Sequence, residues 1–161
     1  MPRRLVLPLV LICGIALFVW GLGSTGLVDE TPPLFAASAR AMARTGDWLI
    51  PRVNGLPRYD KPPLAYWLMG LIYALPGQPQ WDPLGTWAGG LPSALSSVGL
   101  MLVMAATLLR WPQPLPSGRW PAPSQQAITA VSAALAFALS PLVLLWSRIA
   151  VSDALLNGLL G

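Results

Sequence analysis

The sequence predicts an all-α membrane protein with several spans and one large charged loop. Its 161 residues are 55% hydrophobic and 10% charged, with a mean hydropathy of +0.60, outside the range of soluble globular domains. Three charge-free runs, residues 5–28, 84–109 and 127–146, each reach the roughly 20 residues that cross a bilayer as a helix. Between the first two, the stretch Asp29–Pro63 holds four of the six acidic and five of the ten basic residues, including Lys61, the one lysine.

Arg3 and Arg4 precede the first run. A cleaved signal peptide is the other reading of this segment, but the run is longer than a signal's apolar region and has no A-x-A site. By the positive-inside rule it is a span that delivers Asp29 and Glu30 to the non-cytoplasmic face. Thr31 with Pro32 and Pro33 then reads as a helix start, a hydroxyl cap followed by prolines whose missing N–H groups do no harm in a first turn. Alanine-rich sequence carries the helix to about Arg44, and Gly46 ends it.

Gly, Asn and four prolines over residues 47–63 predict an irregular but stiffened loop. Leu64–Leu75 is apolar with Tyr66, Trp67 and Tyr73, too short to cross and suited to lying at the headgroup level. The outer loop therefore covers residues 29–83 and carries surface-lying helices. The run 84–109 crosses back to Arg110, residues 110–126 form a Pro-rich cytoplasmic loop with Arg119, and 127–146 returns outward. A further helix begins near residues 153–161, where a pattern broken off at Gly161 reads as a fragment of a longer chain.

Counting crossings supports this arrangement. With Leu64–Leu75 kept out of the bilayer, Arg3, Arg4, Arg110 and Arg119 share the inside, and Asp29, Glu30, Asp47, Asp60, Asp82 and Asp153 share the outside. If that segment crossed, Arg110 and Arg119 would lie outside. The net charge of +4 is thus membrane anchoring, and nucleic acid is not an expected partner. Cys13 is the one cysteine and lies within a run, so no intrachain disulfide or thiol cluster can form. With no histidine in the chain, imidazole catalysis is excluded.

Two clusters carry chemistry. Asp29 and Glu30 emerge where the first run meets the surface, a costly place for carboxylates unless they face a cavity or partner. A carboxylate there can accept a proton from an incoming hydroxyl, and a neighbouring carboxylate raises its pKa toward the working range. The bland alternative is a helix end among headgroups. Asp60, Lys61, Pro62 and Pro63 form the second cluster, in which prolines restrict a point charge suited to a departing phosphate; the alternative is a snorkelling lysine. Arg40 and Arg44, one turn apart, repel each other mildly until an anion, lipid headgroup or substrate phosphate, sits between them. Asp153 stands at an outer helix boundary. Asp47 and Asp82 read as ordinary loop residues.

The order DET at 29–31, ARAMARTGDWLIP at 39–51 and NGLPRYDKPPLAYWL at 54–68 resembles the first outer loop of membrane glycosyltransferases of the GT-C type. The likeness is to the bacterial branch related to protein O-mannosyltransferases and the lipid A aminoarabinose transferase. It continues more loosely through LPSAL at 91–95 and SRIAVSDALL at 147–156. The resemblance implies that the chain is the N-terminal portion of a polytopic GT-C fold in the plasma (inner) membrane, with its catalytic loop on the non-cytoplasmic side. It implies inverting sugar transfer from a polyprenyl-phosphate-linked donor to a hydroxyl on a lipid, glycan or protein. Asp29 matches the family's base and Glu30 its supporting carboxylate. Lys61 matches the lysine at the donor phosphate, helped by Arg40 and Arg44, and Asp153 matches a second-loop acid. Asp60 matches a position that binds a divalent metal in some members, although the sequence does not require a metal. Pro32 departs from the pattern where many relatives have arginine, removing one anion partner. A non-catalytic membrane component, or an inactive truncated remnant, is the alternative reading.

Overall fold

The computed structural model describes residues 1–24, 31–59, 61–75, 87–150 and 152–160. Among them, seven α-helices are arranged as an antiparallel bundle with a small helical layer on one end. The first helix opens with a 3-10 turn at Arg3–Leu5, continues as α1 (Val6–Gly14) and widens into a π-turn at Ile15–Val19. Trp20, with ψ 128°, leaves helical geometry, and Gly21 and Gly23 take positive φ. The helical part therefore stops well before residue 28, and residues 25–28 lie outside those described.

The bundle is completed by α4 (Trp87–Arg110) and α5 (Pro123–Ala138). Among the described residues, α4 is the one helix long and apolar enough to cross a membrane; its 24 residues reach about 36 Å. The charge-free run at 127–146 is not one helix. It breaks after α5 and resumes as α6 (Pro141–Trp146), because Pro141 offers no N–H to continue α5 and pushes Ser140 into extended geometry, with ψ 127°. The chain then enters α7 (Ser152–Leu160), which packs on α4. A Cβ at Gly158 would lie 2.8 Å from Ser96 Cβ, so that crossing needs a glycine.

Hydrogen bonds fix the antiparallel order. At one end, called here the linker end, the Arg3 guanidinium donates to the Leu109 carbonyl. Gln126 Nε2 donates there to the carbonyls of Leu108 and Leu109, at 3.1 and 3.0 Å. These donors satisfy carbonyls that the last turn of α4 leaves open. Between the helices, Val6, Val10, Phe18, Val98 and Met101 pack against a seam of Ala127, Ala130, Ala134 and Ala138. Each of those alanines is fully buried, and their spacing by three and four residues puts them on one stripe. In lipid, tight van der Waals packing of small residues holds helices together where the hydrophobic effect cannot. On the outside, Leu7, Pro8, Leu11, Leu102, Val103 and Ala106 line an open apolar groove of about 530 Å³.

A second core lies at the opposite end, the loop end. It is built by α2 (Thr31–Thr45) and α3 (Leu64–Tyr73), with Phe35, Ala39, Met42, Tyr66 and Met69 buried between them. Phe35 stacks on Tyr66 at 5.0 Å between ring centroids. Gly70 lets α3 approach closely: a Cβ there would lie 2.8 Å from the Trp48 ring and 3.2 Å from the Ala39 carbonyl oxygen.

The alanine seam generates a prediction. Ala134→Leu inserts volume where none is free and should destabilise the bundle by about 1–3 kcal/mol, seen as a lower thermal midpoint in detergent. Ile128→Leu, on the exposed side of α5, should leave the midpoint unchanged.

Candidate active site

Asp29, Glu30, Asp60 and Asp82 lie outside the described residues. The remaining predicted site residues lie on the α2–α3 layer or beside it. Gly46, with φ 73°, closes α2 by donating its N–H to the Met42 carbonyl at 3.0 Å. That glycine is where the sequence puts the helix end. Arg40 is buried to 9% exposure, and its guanidinium sits 5.1 Å from the centroid of the Tyr73 ring. Arg44, one turn on, is exposed.

Residues 47–59 are more ordered than the irregular loop expected. Asp47 Oδ1 accepts from the N–H groups of Leu49 and Ile50, both at 3.2 Å, and its Oδ2 lies 3.5 Å from Arg52 Nε. A two-stranded hairpin follows, β1 (Arg52–Val53) paired antiparallel with β2 (Leu56–Pro57) in the register Val53↔Leu56. Asn54 and Gly55 turn it with φ 52° and 81°, as an Asn-Gly two-residue loop does. The Asn-Gly pair was the sequence signal for this hairpin. Arg58 then donates its N–H to the Pro51 carbonyl at 2.8 Å.

The hairpin returns the chain to the start of α3. Arg58 extends its guanidinium over the Phe35 ring, 5.9 Å from the centroid, and Phe35 stacks on Tyr66 in the first turn of α3. Lys61 is exposed immediately before that helix. Arg58 and Lys61 therefore share the N-terminal end of α3. Arg40 sits at the other end, against Tyr73, with about 15 Å of helix between. Sequence reasoning grouped Lys61 with Arg40 and Arg44 and missed Arg58, whose placement depends on a tertiary contact with Phe35.

Beside this layer, Trp48, Leu49, Trp67 and Leu71 line an open apolar trough of about 460 Å³. It is braced by the Trp67 indole N–H, which donates to the Trp48 carbonyl at 2.7 Å. Such a surface accepts hydrocarbon, and the cations at the start of α3 accept an anion. Among the described residues, no three carboxylate, thiol or imidazole side chains gather to hold a metal ion.

The segment 147–150 ties the layer to the bundle. Ser97 Oγ donates to Ser147 Oγ at 2.6 Å in a buried bond. The Arg148 guanidinium donates to the carbonyls of Leu17 and Trp20 at 3.2 and 2.9 Å, placing a cation at the end of the first helix where its dipole favours one. Ala150 is buried in the α2–α3 core. Asp153 follows in the first turn of α7, exposed, accepting from Ser152 Oγ at 3.3 Å. Arg148 is the second positioned cation that sequence reasoning did not single out.

No family model matches the chain. It is 32% identical over 116 residues to undecaprenyl phosphate-alpha-4-amino-4-deoxy-L-arabinose arabinosyl transferase 1 of Pseudomonas fluorescens, an alignment covering 71% of this chain and 20% of that protein. The corresponding transferase of Pseudomonas aeruginosa is 29% identical over 113 residues, 70% of this chain and 20% of that protein. An uncharacterized protein of Aquifex aeolicus is 36% identical over 69 residues, covering 43% of this chain and 14% of that one. Among solved structures, the fold matches the crystal structures of ArnT from Cupriavidus metallidurans, apo and bound to undecaprenyl phosphate. Both match with a TM-score of 0.74 and 25% identity, over 93% and 94% of this chain and 24% and 25% of theirs. The alignments cover only 14% and 20% of the length of these curated relatives.

The turn at Asp47 makes its own prediction. Its carboxyl is held below the usual aspartate range, first by the N–H of Ile50 and then by that of Leu49, with a smaller contribution from Arg52. A depressed folded-state pKa stabilises the turn above the unfolded value and loses that stabilisation as the pH falls through the folded one. Hydrogen-exchange protection of residues 48–52 should therefore drop in a step below the usual aspartate pKa. Asp47→Asn should show no step.

Proposed function

Because this chain is a relative of the undecaprenyl phosphate aminoarabinose transferases, membrane glycosyltransferases of the GT-C type, we propose that it forms part of a sugar-transferring enzyme. The donor is a sugar on polyprenyl phosphate, and the acceptor is a hydroxyl on the non-cytoplasmic face of the inner membrane. What supports this reading most is the shared fold: nearly the whole chain follows a transferase whose structure was also solved with undecaprenyl phosphate bound. The transferases it matches by sequence carry a pentose derivative in their names, which favours a pentose or a similar aminosugar over an unmodified hexose.

In the proposed mechanism the Asp29 carboxylate takes the proton of the acceptor hydroxyl, with Glu30 as its supporting carboxylate. The acceptor oxygen bonds to the anomeric carbon from the face opposite the leaving group, the bond from that carbon to the phosphate oxygen breaks, and the configuration inverts. Negative charge then grows on the departing lipid phosphate. Lys61 meets it as a point charge, and Arg58, at the same end of α3, supplies a fork of N–H donors. Arg40 and Arg44, on α2, add positive charge from farther off, Asp60 precedes the lysine, and Asp153 supports from the start of α7. A polyprenyl tail would run along the apolar trough at Trp48 and Trp67. No step is assigned to a metal.

In the complete gene product, Asp29→Asn should reduce transfer of labelled sugar by a factor of about 100 or more while leaving membrane insertion intact; undiminished transfer would overturn the assignment of the base. Lys61→Ala should raise the KM for the polyprenyl-phosphate donor more than that for the acceptor. Equal changes in the two would remove Lys61 from the phosphate.

A further inference from the structure

At the linker end, three arginines stand with no described carboxylate beside them. The two acids among the described residues are engaged elsewhere: Asp47 with Arg52 and Asp153 with Ser152. Arg3 donates to the end of α4, whereas Arg4, Arg110 and Arg119 are exposed and form no ion pair among the described residues.

Two large aromatics accompany them. Trp111 is 63% exposed and Trp120 69%. The linker that joins them is a built turn rather than a slack one. Leu115 donates its N–H to the Arg119 carbonyl and Gly118 to the Leu115 carbonyl, both at 2.8 Å, with Gly118 at φ 75°. Prolines at 112, 114, 116 and 121 stiffen both arms. α5 anchors the second arm to the end of α4 through Gln126. Trp111 directly follows α4 and Trp120 lies three residues before α5, so both stand at the level of the linker end.

Exposed tryptophan at that level has an apolar body and one N–H, the combination that settles at the boundary between acyl chains and headgroups. Guanidinium groups beside it match phosphate geometry. The absence of any neighbouring described carboxylate leaves a net positive field that a zwitterionic headgroup cannot neutralise and an anionic one can. We propose that this end of the protein binds anionic glycerophospholipid, with the headgroup phosphate taken by Arg4, Arg110 and Arg119 and the bilayer boundary marked by Trp111 and Trp120. This site is separate from the proposed donor site and does not depend on the transferase reading.

Native mass spectrometry of the detergent-solubilised chain, titrated with phosphatidylglycerol or phosphatidylcholine, tests it. Phosphatidylglycerol should be retained more tightly, and Arg110→Gln with Arg119→Gln should weaken its binding by about fivefold per arginine removed, with phosphatidylcholine unaffected. Equal retention of the two lipids, or unchanged phosphatidylglycerol binding in the double variant, would overturn the proposal. If the variant fails to fold, salt serves in its place. Phosphatidylglycerol binding to the unaltered chain should fall as ionic strength rises, and insensitivity to salt would count against the site just as firmly.

Discussion

Three backbone segments meet at the loop end of α4, and the arrangement of everything above them depends on how closely they can approach. A Cβ at Gly23 would lie 2.7 Å from the Trp87 nitrogen, one at Gly90 2.9 Å from the Arg148 carbonyl oxygen, and one at Gly89 3.1 Å from Ala150 Cβ. Only glycine allows these contacts without displacing backbone. Into this junction Arg148 brings a charge that binds the last carbonyls of the first helix, while Ser147 and Ala150, on either side of it, engage α4 and the α2–α3 core. Four consecutive residues thus fix the first helix, α4 and the helical layer relative to one another. A charged group bonded to two carbonyls is also hard to replace, because removing it leaves those acceptors open near lipid, where water is scarce.

That junction gives the α2–α3 layer a defined seat. Its cations are then not a diffuse charged loop but two groups at opposite ends of α3, Arg58 and Lys61 at one and Arg40 at the other. The two ends differ in character. Arg40 is buried against Tyr73, near the junction, whereas Lys61 is exposed before the first turn. The Lys61 end is thus the more open of the two, and the apolar trough of Trp48, Leu49, Trp67 and Leu71 lies beside the same helix.

Much of this was legible in the residues, for physical reasons that can be named. The bounds of α2 follow from its prolines and Gly46, because caps act locally. The length of α3 follows from its short apolar run. Charge parity required Arg3 and Arg110 to share an end, and the bond from Arg3 to Leu109 puts them together. The break at Ser140 was missed because a count of uncharged residues ignores the N–H that Pro141 lacks, and the small hairpin because four prolines drew attention away from Asn54-Gly55. Arg58 and Arg148 could not be picked out from spacing at all. Their partners, Phe35 and the carbonyls of Leu17 and Trp20, are remote in sequence, and only packing brings them near.

The proposed function requires the start of α3 to receive the phosphate of a polyprenyl carrier. A photoreactive undecaprenyl phosphate analogue, with its reactive group next to the phosphate, tests this most directly when it is cross-linked to the protein in membranes and the labelled peptides are mapped. Labelling is expected within residues 58–61, and unmodified undecaprenyl phosphate should compete it away. Labelling confined to the bilayer-facing surfaces of α1 and α4, or labelling that no competitor reduces, would contradict it.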